Sequence, residues 1–81
     1  MKVRVRLFAV LRDSLGRSQL DLELPEGATL EDVWRHLVKE HPGLAPRRRS
    51  LAAAVNRRYA AFDSPLGPGD EVAFIPPVSG G

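Results

Sequence analysis

Within residues 19–41, QLDLELPEGATLEDVWRHLVKEH, the spacing of the hydrophobic residues changes once, from that of a strand to that of a helix, and the predicted fold follows from this change. Over residues 19–24 leucines alternate with polar residues, a pattern typical of a half-buried strand. Thr29 can then cap a helix, and the apolar residues that follow recur at helical spacing: Leu30, Val33, Trp34, Leu37 and Val38. Pro42 ends this pattern. The stretch therefore predicts a strand followed by one main helix at about residues 30–41.

The segments on either side of this unit have the period or the length of strands. Residues 2–10, KVRVRLFAV, alternate and predict a first strand, followed by a turn region at 11–18 that leaves room for a short helical turn. Residues 51–55 and 59–62 predict two short strands around a turn, although the alanines at 52–54 also permit a helix. Residues 71–75 predict the last strand.

The predicted order is therefore β-β-α-β-β-β. One helix lying across a mixed sheet covers one of its faces, and the first and last strands, which alternate most clearly, are expected to be central neighbours. This arrangement is an α+β fold of the β-grasp, or ubiquitin-like, type with about five strands.

Length and composition limit what such a chain can do. With 81 residues, 43% of them hydrophobic and 27% charged, it has room for one domain with one thin core. We expect this domain at residues 1–77 and a flexible tail at residues 78–81. So small a body favours a carrier, a subunit or a binding module over a self-sufficient enzyme.

Several classes of site are excluded by the residues that are missing. The chain has no cysteine, which excludes disulfides, iron–sulfur clusters, thiolate zinc sites and a cysteine nucleophile. It has no apolar run long enough to span a membrane and no apolar core of a signal peptide, so we expect a cytoplasmic protein without a membrane partner.

Catalytic and metal-binding patterns are missing as well. His36 and His41 are five residues apart, which does not place them on one helix face as a metal pair. The segment 67–70, GPGD, lacks the Lys-Ser/Thr of a phosphate-binding loop, and no serine lies in a G-x-S-x-G setting. We therefore expect no catalytic residue, no metal and no bound cofactor.

The C-terminal Gly80-Gly81 is the most unusual feature of the sequence. Two residues without Cβ atoms can pass through a slot too narrow for any side chain. Their terminal carboxylate is a chemical handle, since ATP can activate it as an acyl-adenylate that a sulfur or amine nucleophile then attacks. Pro76-Pro77 stops the preceding strand, so the glycines project from the body. The alternative is a floppy terminus or a linker-like remnant.

Two apolar residues near the predicted strand ends break the expected alternation. Phe8 shares its side of the first strand with Arg4 and Arg6, and Ile75 lies opposite Val72 and Phe74 in the last strand. If the two strands pair, Phe8 and Ile75 form an exposed docking patch near the tail. In the other interpretation, strand twist or a bulge turns them into the core.

Two arginine clusters, at residues 47–49 and 57–58, carry much of the positive charge. They suit phosphate, RNA or an acidic partner. Because Tyr59 is the only aromatic residue nearby to stack on bases, a solvated loop is the favoured interpretation. Twelve Lys and Arg against ten Asp and Glu leave a net charge of +2, which argues against a nucleic-acid partner.

Four stretches together resemble one known family. Residues 7–13 (LFAVLRD), 25–29 (PEGAT), 54–56 (AVN) and above all 69–81 (GDEVAFIPPVSGG) are similar to the small, sulfur-carrying subunits of molybdopterin synthases. The similarity covers nearly the whole chain. Its specific part is the C-terminal stretch, because the remainder is shared with other β-grasp sulfur carriers.

The resemblance implies a function for the tail. Gly81 would be adenylated by an ATP-consuming partner related to ubiquitin-activating enzymes and then, with a sulfur-donor protein, converted to a thiocarboxylate. The tail would thread through Val78, Ser79 and Gly80 into the large synthase subunit, which holds the catalytic residues, and there give its sulfur to cyclic pyranopterin monophosphate. Two small subunits would flank a dimer of large ones. Phe8, Ile75, Pro76 and Pro77 would dock on the partner, while the resemblance implies nothing for residues 47–49.

Two other functions stay open at this point. The first is a sulfur carrier for another product, thiamine thiazole or tRNA 2-thiouridine. The second is a β-grasp interaction module, for example one that binds RNA, in which Gly-Gly is incidental.

Overall fold

The computed structural model describes residues 1–77, and its elements follow the chain in a simple order. The strands and helices are β1 (Lys2–Leu7), α1 (Ala9–Leu15), β2 (Gln19–Glu23), α2 (Leu30–Glu40), a 3₁₀ segment (Pro42–Ser50), β3 (Ala52–Val55), β4 (Arg58–Ala60) and β5 (Glu71–Ile75). No helix in this part of the chain is long and apolar enough to cross a membrane.

The five strands form one mixed sheet in the order β2-β1-β5-β3-β4. The central strands β1 and β5 run parallel, with Arg4 opposite Glu71 and Leu7 opposite Phe74. The other three pairs are antiparallel. The predicted pairing of the first and last strands is therefore confirmed, and so is the β-grasp arrangement of a mixed sheet with one main helix.

The core lies between one face of the sheet and α2. Alternate residues of β1 and β5 point into it, and each is at most 2% exposed: Val3, Val5, Leu7, Val72 and Phe74. From α2, Leu30, Val33, Trp34 and Leu37 face the same core. The Trp34 and Phe74 rings meet edge to face with their centroids 5.4 Å apart. The opposite face of the sheet is left free, and β5 leads its chain toward the tail.

Helix α2 begins with a capping box. The Asp32 amide donates to Thr29 Oγ1 over 3.3 Å, and the Thr29 amide donates to Asp32 Oδ2 over 2.9 Å. These bonds satisfy amides that the first turn leaves unpaired. The helix ends at Glu40, just before Pro42, so the predicted helix at about 30–41 is confirmed.

The first strand is shorter than predicted. The chain leaves the sheet after Leu7 and forms α1, which ends at Gly16 with φ of +71°. Leu11 is fully buried in the core, and the partly buried Leu15 packs against the core, so α1 contributes to it. The expected strand at 8–10 is therefore wrong, and the helical turn that the sequence only permitted is a full element.

Two further differences follow from burial. Residues 42–50 are not an open loop but a 3₁₀ segment that places Leu44 in the core. Strand β4 spans Arg58–Ala60 instead of 59–62, because Phe62 leaves the sheet and stacks on Phe74 with ring centroids 5.8 Å apart. The strand assignment of the alanines in β3 is confirmed.

Candidate docking site beside the tail

The chain leaves the sheet at the end of β5, where Pro76 and Pro77 follow Ile75. Proline has no amide hydrogen for a sheet ladder, so the strand cannot continue. Val78, Ser79, Gly80 and Gly81 lie outside the described residues, and their proposed part in threading and sulfur attachment stays a prediction. The described structure shows what surrounds the base of this tail.

A groove of about 350 Å³ opens on the free face of the sheet, directly beside the tail base. We call it the sheet groove; its lining consists of Arg6, Phe8, Ala54, Arg57, Tyr59, Glu71, Ala73 and Ile75. Phe8 is 41% exposed and Tyr59 is 79% exposed, and they are the large hydrophobic side chains that residues 1–77 leave exposed. Exposed aromatic residues grouped around a groove are typical of a protein-docking surface.

Strand parity explains how these side chains meet. Ala73 and Ile75 alternate with the buried Val72 and Phe74, so they line the free face. Ala54 pairs with Ala73 on one side and with Tyr59 on the other. Small side chains thus form the floor and the aromatic rings form the walls.

Phe8 and Ile75 both line this groove, as the docking interpretation requires. Phe8 is the extended residue between β1 and α1, with φ of −125°, and its ring stays outside the core. Ile75 is half-buried in the groove wall. The alternative, in which twist or a bulge turns Phe8 inward, is wrong. Whether a partner binds here stays a prediction.

Charged groups form one side of the sheet groove. The Glu71 carboxylate lies between two guanidinium groups, 3.9 Å from Arg6 and 3.8 Å from Arg57. Two cations against one anion leave this side positive. Exposed ion pairs of this kind contribute little to stability, so their arginines can be shared with a partner's carboxylate at small cost. The groove therefore suits an apolar projection flanked by acidic residues.

Asn56 holds the turn that carries Arg57 beside the groove. Its amide group donates to Asp70 Oδ1 over 2.9 Å, and its side-chain oxygen accepts from the Glu71 amide over 3.0 Å. Asn56 and Arg57 have φ of +50° and +70°, a left-handed conformation that asparagine tolerates better than most residues. The sequence indicated a turn here but not its attachment to β5.

Arg48 has a structural function that the sequence did not indicate. Its Nε and Nη2 donate to the two carboxylate oxygens of Glu31 over 3.1 and 3.0 Å, and its guanidinium lies 3.4 Å from the centroid of the Phe62 ring. The hydrogen bond from Arg48 holds the pKa of Glu31 below its usual range. The solvated-loop interpretation is therefore wrong for Arg48, whereas Arg47 and Arg49 are exposed.

The remaining titratable groups form no cluster in the described part of the chain. No three His, Asp or Glu side chains there come together in a way that could hold a metal ion. His36 Nε2 lies 3.5 Å from Glu40 Oε1 on the next turn of α2, and His41 ends the helix.

Solved structures share this architecture over the full chain. SAMP1 from Haloferax volcanii superposes with a TM-score of 0.85 at 30% identity, with 100% of both chains covered. A complex of subunits 1 and 2 of the molybdopterin-converting factor from Helicobacter pylori contains a chain that superposes with a TM-score of 0.69 at 27% identity, again over 100% of both. These proteins are β-grasp relatives, which confirms the fold predicted from the sequence.

Curated relatives also match the chain along its whole length. The molybdopterin synthase sulfur carrier subunit of Chlamydomonas reinhardtii is 36% identical, with 100% of both chains covered. That of Escherichia coli is 37% identical, with 98% of this chain and 99% of the relative covered. The resemblance inferred from the sequence motifs is thereby confirmed. Since the ThiS family model also matches residues 5–81, the chain belongs to the ThiS family.

Proposed function

We propose that this protein is the sulfur-carrier subunit of a molybdopterin synthase. The observation that carries the proposal is the match, end to end, to relatives that bear this name in an alga and in a bacterium. A β-grasp body with an exposed groove at the base of a Gly-Gly tail supports it. The protein would act by presenting its own terminus, and the catalytic residues would belong to its partners.

Loading of the tail needs two steps. The Gly81 carboxylate first attacks the α-phosphorus of ATP on a ubiquitin-activating-like partner, which forms an acyl-adenylate and releases pyrophosphate. Sulfur at the oxidation level of sulfide, delivered from a donor protein, then attacks the acyl carbon. AMP leaves, and a thiocarboxylate remains on Gly81. ATP is consumed by the partner, and the carrier itself binds no cofactor.

Delivery takes place in the large synthase subunit. The tail inserts through Val78, Ser79 and Gly80, and the Gly81 sulfur attacks a side-chain carbon of cyclic pyranopterin monophosphate. An oxygen substituent leaves that carbon, and a thioester joins Gly81 to the pterin. Water cleaves the acyl–sulfur bond and regenerates the carboxylate. A dithiolene has two sulfurs, so each product consumes two loaded carriers, which suits an assembly with two small subunits around a dimer of large ones.

The docking surface of this proposal is the sheet groove with the tail base. Phe8 and Ile75 supply apolar area beside the point where the chain leaves the body, and Pro76 and Pro77 fix the direction in which it leaves. Because the groove adjoins the tail, binding there positions the tail at the same time. The Helicobacter pylori complex of subunits 1 and 2 supports a partner of the large-subunit kind.

A second candidate function is the modification of other proteins. It is favoured by the full-length match to SAMP1, a small archaeal modifier protein. An amine that attacks the same acyl-adenylate would yield an amide in place of a thiocarboxylate. The two functions differ in product, so an isopeptide bond between Gly81 and lysines of other proteins in the native host would support the modifier function.

The test is reconstitution with purified partners. The wild-type chain is incubated with ATP, the activating enzyme and a sulfur donor, then with the large subunit and cyclic pyranopterin monophosphate. We expect a thiocarboxylate on Gly81 and then a dithiolene product. The carrier would belong to another pathway if it is loaded but yields no dithiolene, and if it instead yields thiolated tRNA or thiazole with the enzymes of those pathways. Unchanged loading after deletion of Gly81 would leave only the non-carrier interaction module.

A further inference from the structure

A second groove lies on the other side of the tail base, between the 3₁₀ segment and the two prolines. We call it the proline groove; it has a volume of about 470 Å³, and its lining consists of Gly43, Pro46, Arg47, Ser50, Leu51, Pro76 and Pro77. Pro76 and Pro77 form one wall, so any protein that encloses the tail also meets this groove. It shares no lining residue with the sheet groove.

The charge around the proline groove is uncompensated. The chain has no Asp or Glu between Glu40 and Asp63, while three consecutive arginines lie at 47–49. Arg48 turns inward to Glu31. Arg47 and Arg49 are exposed, and neither has an ion-pair partner among residues 1–77. Two guanidinium groups therefore face solvent on the segment that forms one side of the tail base.

We propose that the proline groove binds acidic residues of the partner protein that takes up the tail. These residues would lie around the entrance of the partner's tail-binding cleft. The inference rests on the proposed function, because only a partner that accepts the tail comes close to this groove. Complementary charge at the edge of an interface accelerates encounter and fixes orientation. Arg47 and Arg49 are thus binding residues that the family resemblance does not supply.

Arg47 and Arg49 are too far from the reacting Gly81 carboxylate to act on it directly when the tail is extended. Four residues follow Pro77, and fully extended they span at most about 14 Å. Interactions between exposed charges are largely screened beyond about 8 Å at physiological salt. A tail that is fully extended in a partner exceeds this screening distance, so it carries the Gly81 carboxylate out of reach of Arg47 at its base. The arginines act on the partner's surface around the tail, so they affect binding and leave the chemical step unchanged.

The lining of the proline groove favours a protein over a nucleic acid. Its walls are proline, glycine, serine and leucine, and no aromatic ring lines it. Single-stranded nucleic acid is held by basic residues together with aromatic side chains on which the bases stack. Acidic residues of a protein need only a cation and an apolar floor, which Arg47 and Leu51 with the two prolines supply.

The test compares two pairs of charge-neutralising substitutions. Arg47→Gln with Arg49→Gln removes the arginine that lines the proline groove and its exposed neighbour on the same 3₁₀ segment. The matched control is Lys2→Gln with Arg58→Gln, which removes two exposed cations at the other end of the sheet, where β1 and β4 begin. Neither pair touches Arg48, and unfolding midpoints of all variants confirm that the fold is intact. KM and kcat are measured for thiocarboxylate formation by the activating enzyme and for sulfur transfer by the large subunit.

We expect the Arg47/Arg49 variant to raise KM about two- to thirtyfold, the combined effect of two exposed ion pairs, in at least one of the two reactions. The kcat should be unchanged, the difference from wild type should shrink between about 50 and 200 mM salt, and the control pair should match wild type.

The inference is overturned if KM is unchanged in both reactions, if only kcat falls, or if the control pair shows the same loss. Loss of tRNA binding with unchanged KM for both partners would also overturn it. Failure of the wild-type chain to be loaded at all would be a different result, because it would refute the proposed function itself.

Discussion

Arg48 joins the 3₁₀ segment to helix α2 and to the aromatic part of the core with a single guanidinium group. It makes two hydrogen bonds to Glu31 and stacks on Phe62, which in turn stacks on Phe74. We expect Arg48→Gln to lower the free energy of unfolding by about 1–3 kcal/mol, because it removes a bidentate ion pair and a cation–π contact. Arg47→Gln, the same change at the exposed neighbour, should cost less than about 0.5 kcal/mol. Urea denaturation measures both, and equal losses would contradict this assignment.

The same contact makes the stability of the protein depend on pH. Because Arg48 lowers the pKa of Glu31 in the folded state, the ionised carboxylate stabilises the fold. This contribution is complete above the unfolded pKa and is lost as the pH falls through the folded one. We therefore expect wild type to be more stable than Glu31→Gln at neutral pH, and this difference to shrink as the pH falls through the folded pKa of Glu31. A stability difference that does not change with pH in chemical denaturation would refute the contact.

Single residues differ in how far the sequence determines their surroundings. Strand parity was sufficient to separate Ile75 from Phe74 and to raise the possibility that Phe8 is exposed. It could not reveal the partners of Arg48, since Glu31 lies 17 residues away and only the tertiary fold brings the two together. The tail residues Val78, Ser79, Gly80 and Gly81 were assigned from motif and chemistry alone.

The turn of the β3–β4 hairpin is held by the side chain of Asn56, which makes hydrogen bonds to residues outside the hairpin. Asn56 ties the turn to Asp70 and Glu71 and adopts a left-handed φ. We expect Asn56→Ala to lower the free energy of unfolding by about 1–3 kcal/mol, through lost hydrogen bonds and a strained backbone. Asn56→Gly keeps the conformation and loses only the hydrogen bonds, so it should cost less in the same denaturation experiment. If glycine proved worse than alanine, backbone strain would not be part of the explanation.

Elements with a long, regular period were predictable, and short ones were not. Helix α2 carries a full apolar stripe and a capping box, and β1 and β5 alternate, so their existence and pairing followed from the sequence. Helix α1 spans seven residues with Leu11 as its buried residue, which is too little periodicity to separate it from a turn. The 3₁₀ segment was missed for the same reason, because Leu44 alone anchors it in the core.

At the scale of the whole molecule, two grooves flank the tail base and differ in chemistry. The sheet groove has aromatic walls and a side of paired charges, whereas the proline groove is lined by prolines, small residues and Leu51, with one arginine, Arg47, that has no ion-pair partner among residues 1–77. We expect Phe8→Ser to weaken binding to the large synthase subunit about five- to thirtyfold, as for other aromatic residues at interface centres. Isothermal titration calorimetry with the purified subunit measures this, with Lys2→Gln as the control at the far end of the sheet. Unchanged affinity for Phe8→Ser would remove the sheet groove from the interface.

The small body of the protein is consistent with a reactive group at the end of its own chain. A chain of 81 residues with one thin core has little room for a deep active site, and the proposed function needs none. The fold would then serve to present the tail and to supply two surfaces beside it.

Sulfur loading of the tail changes the mass of the terminal residue, Gly81. We propose that ATP, the activating enzyme and a sulfur donor replace one terminal oxygen of Gly81 by sulfur, a gain of about 16 mass units from the atomic masses. Intact-protein and fragment mass spectrometry should locate this gain on Gly81 in the wild-type chain and find none after deletion of Gly81. A wild-type terminus that gains no sulfur, or a gain that survives the deletion, would show that Gly81 does not carry the sulfur.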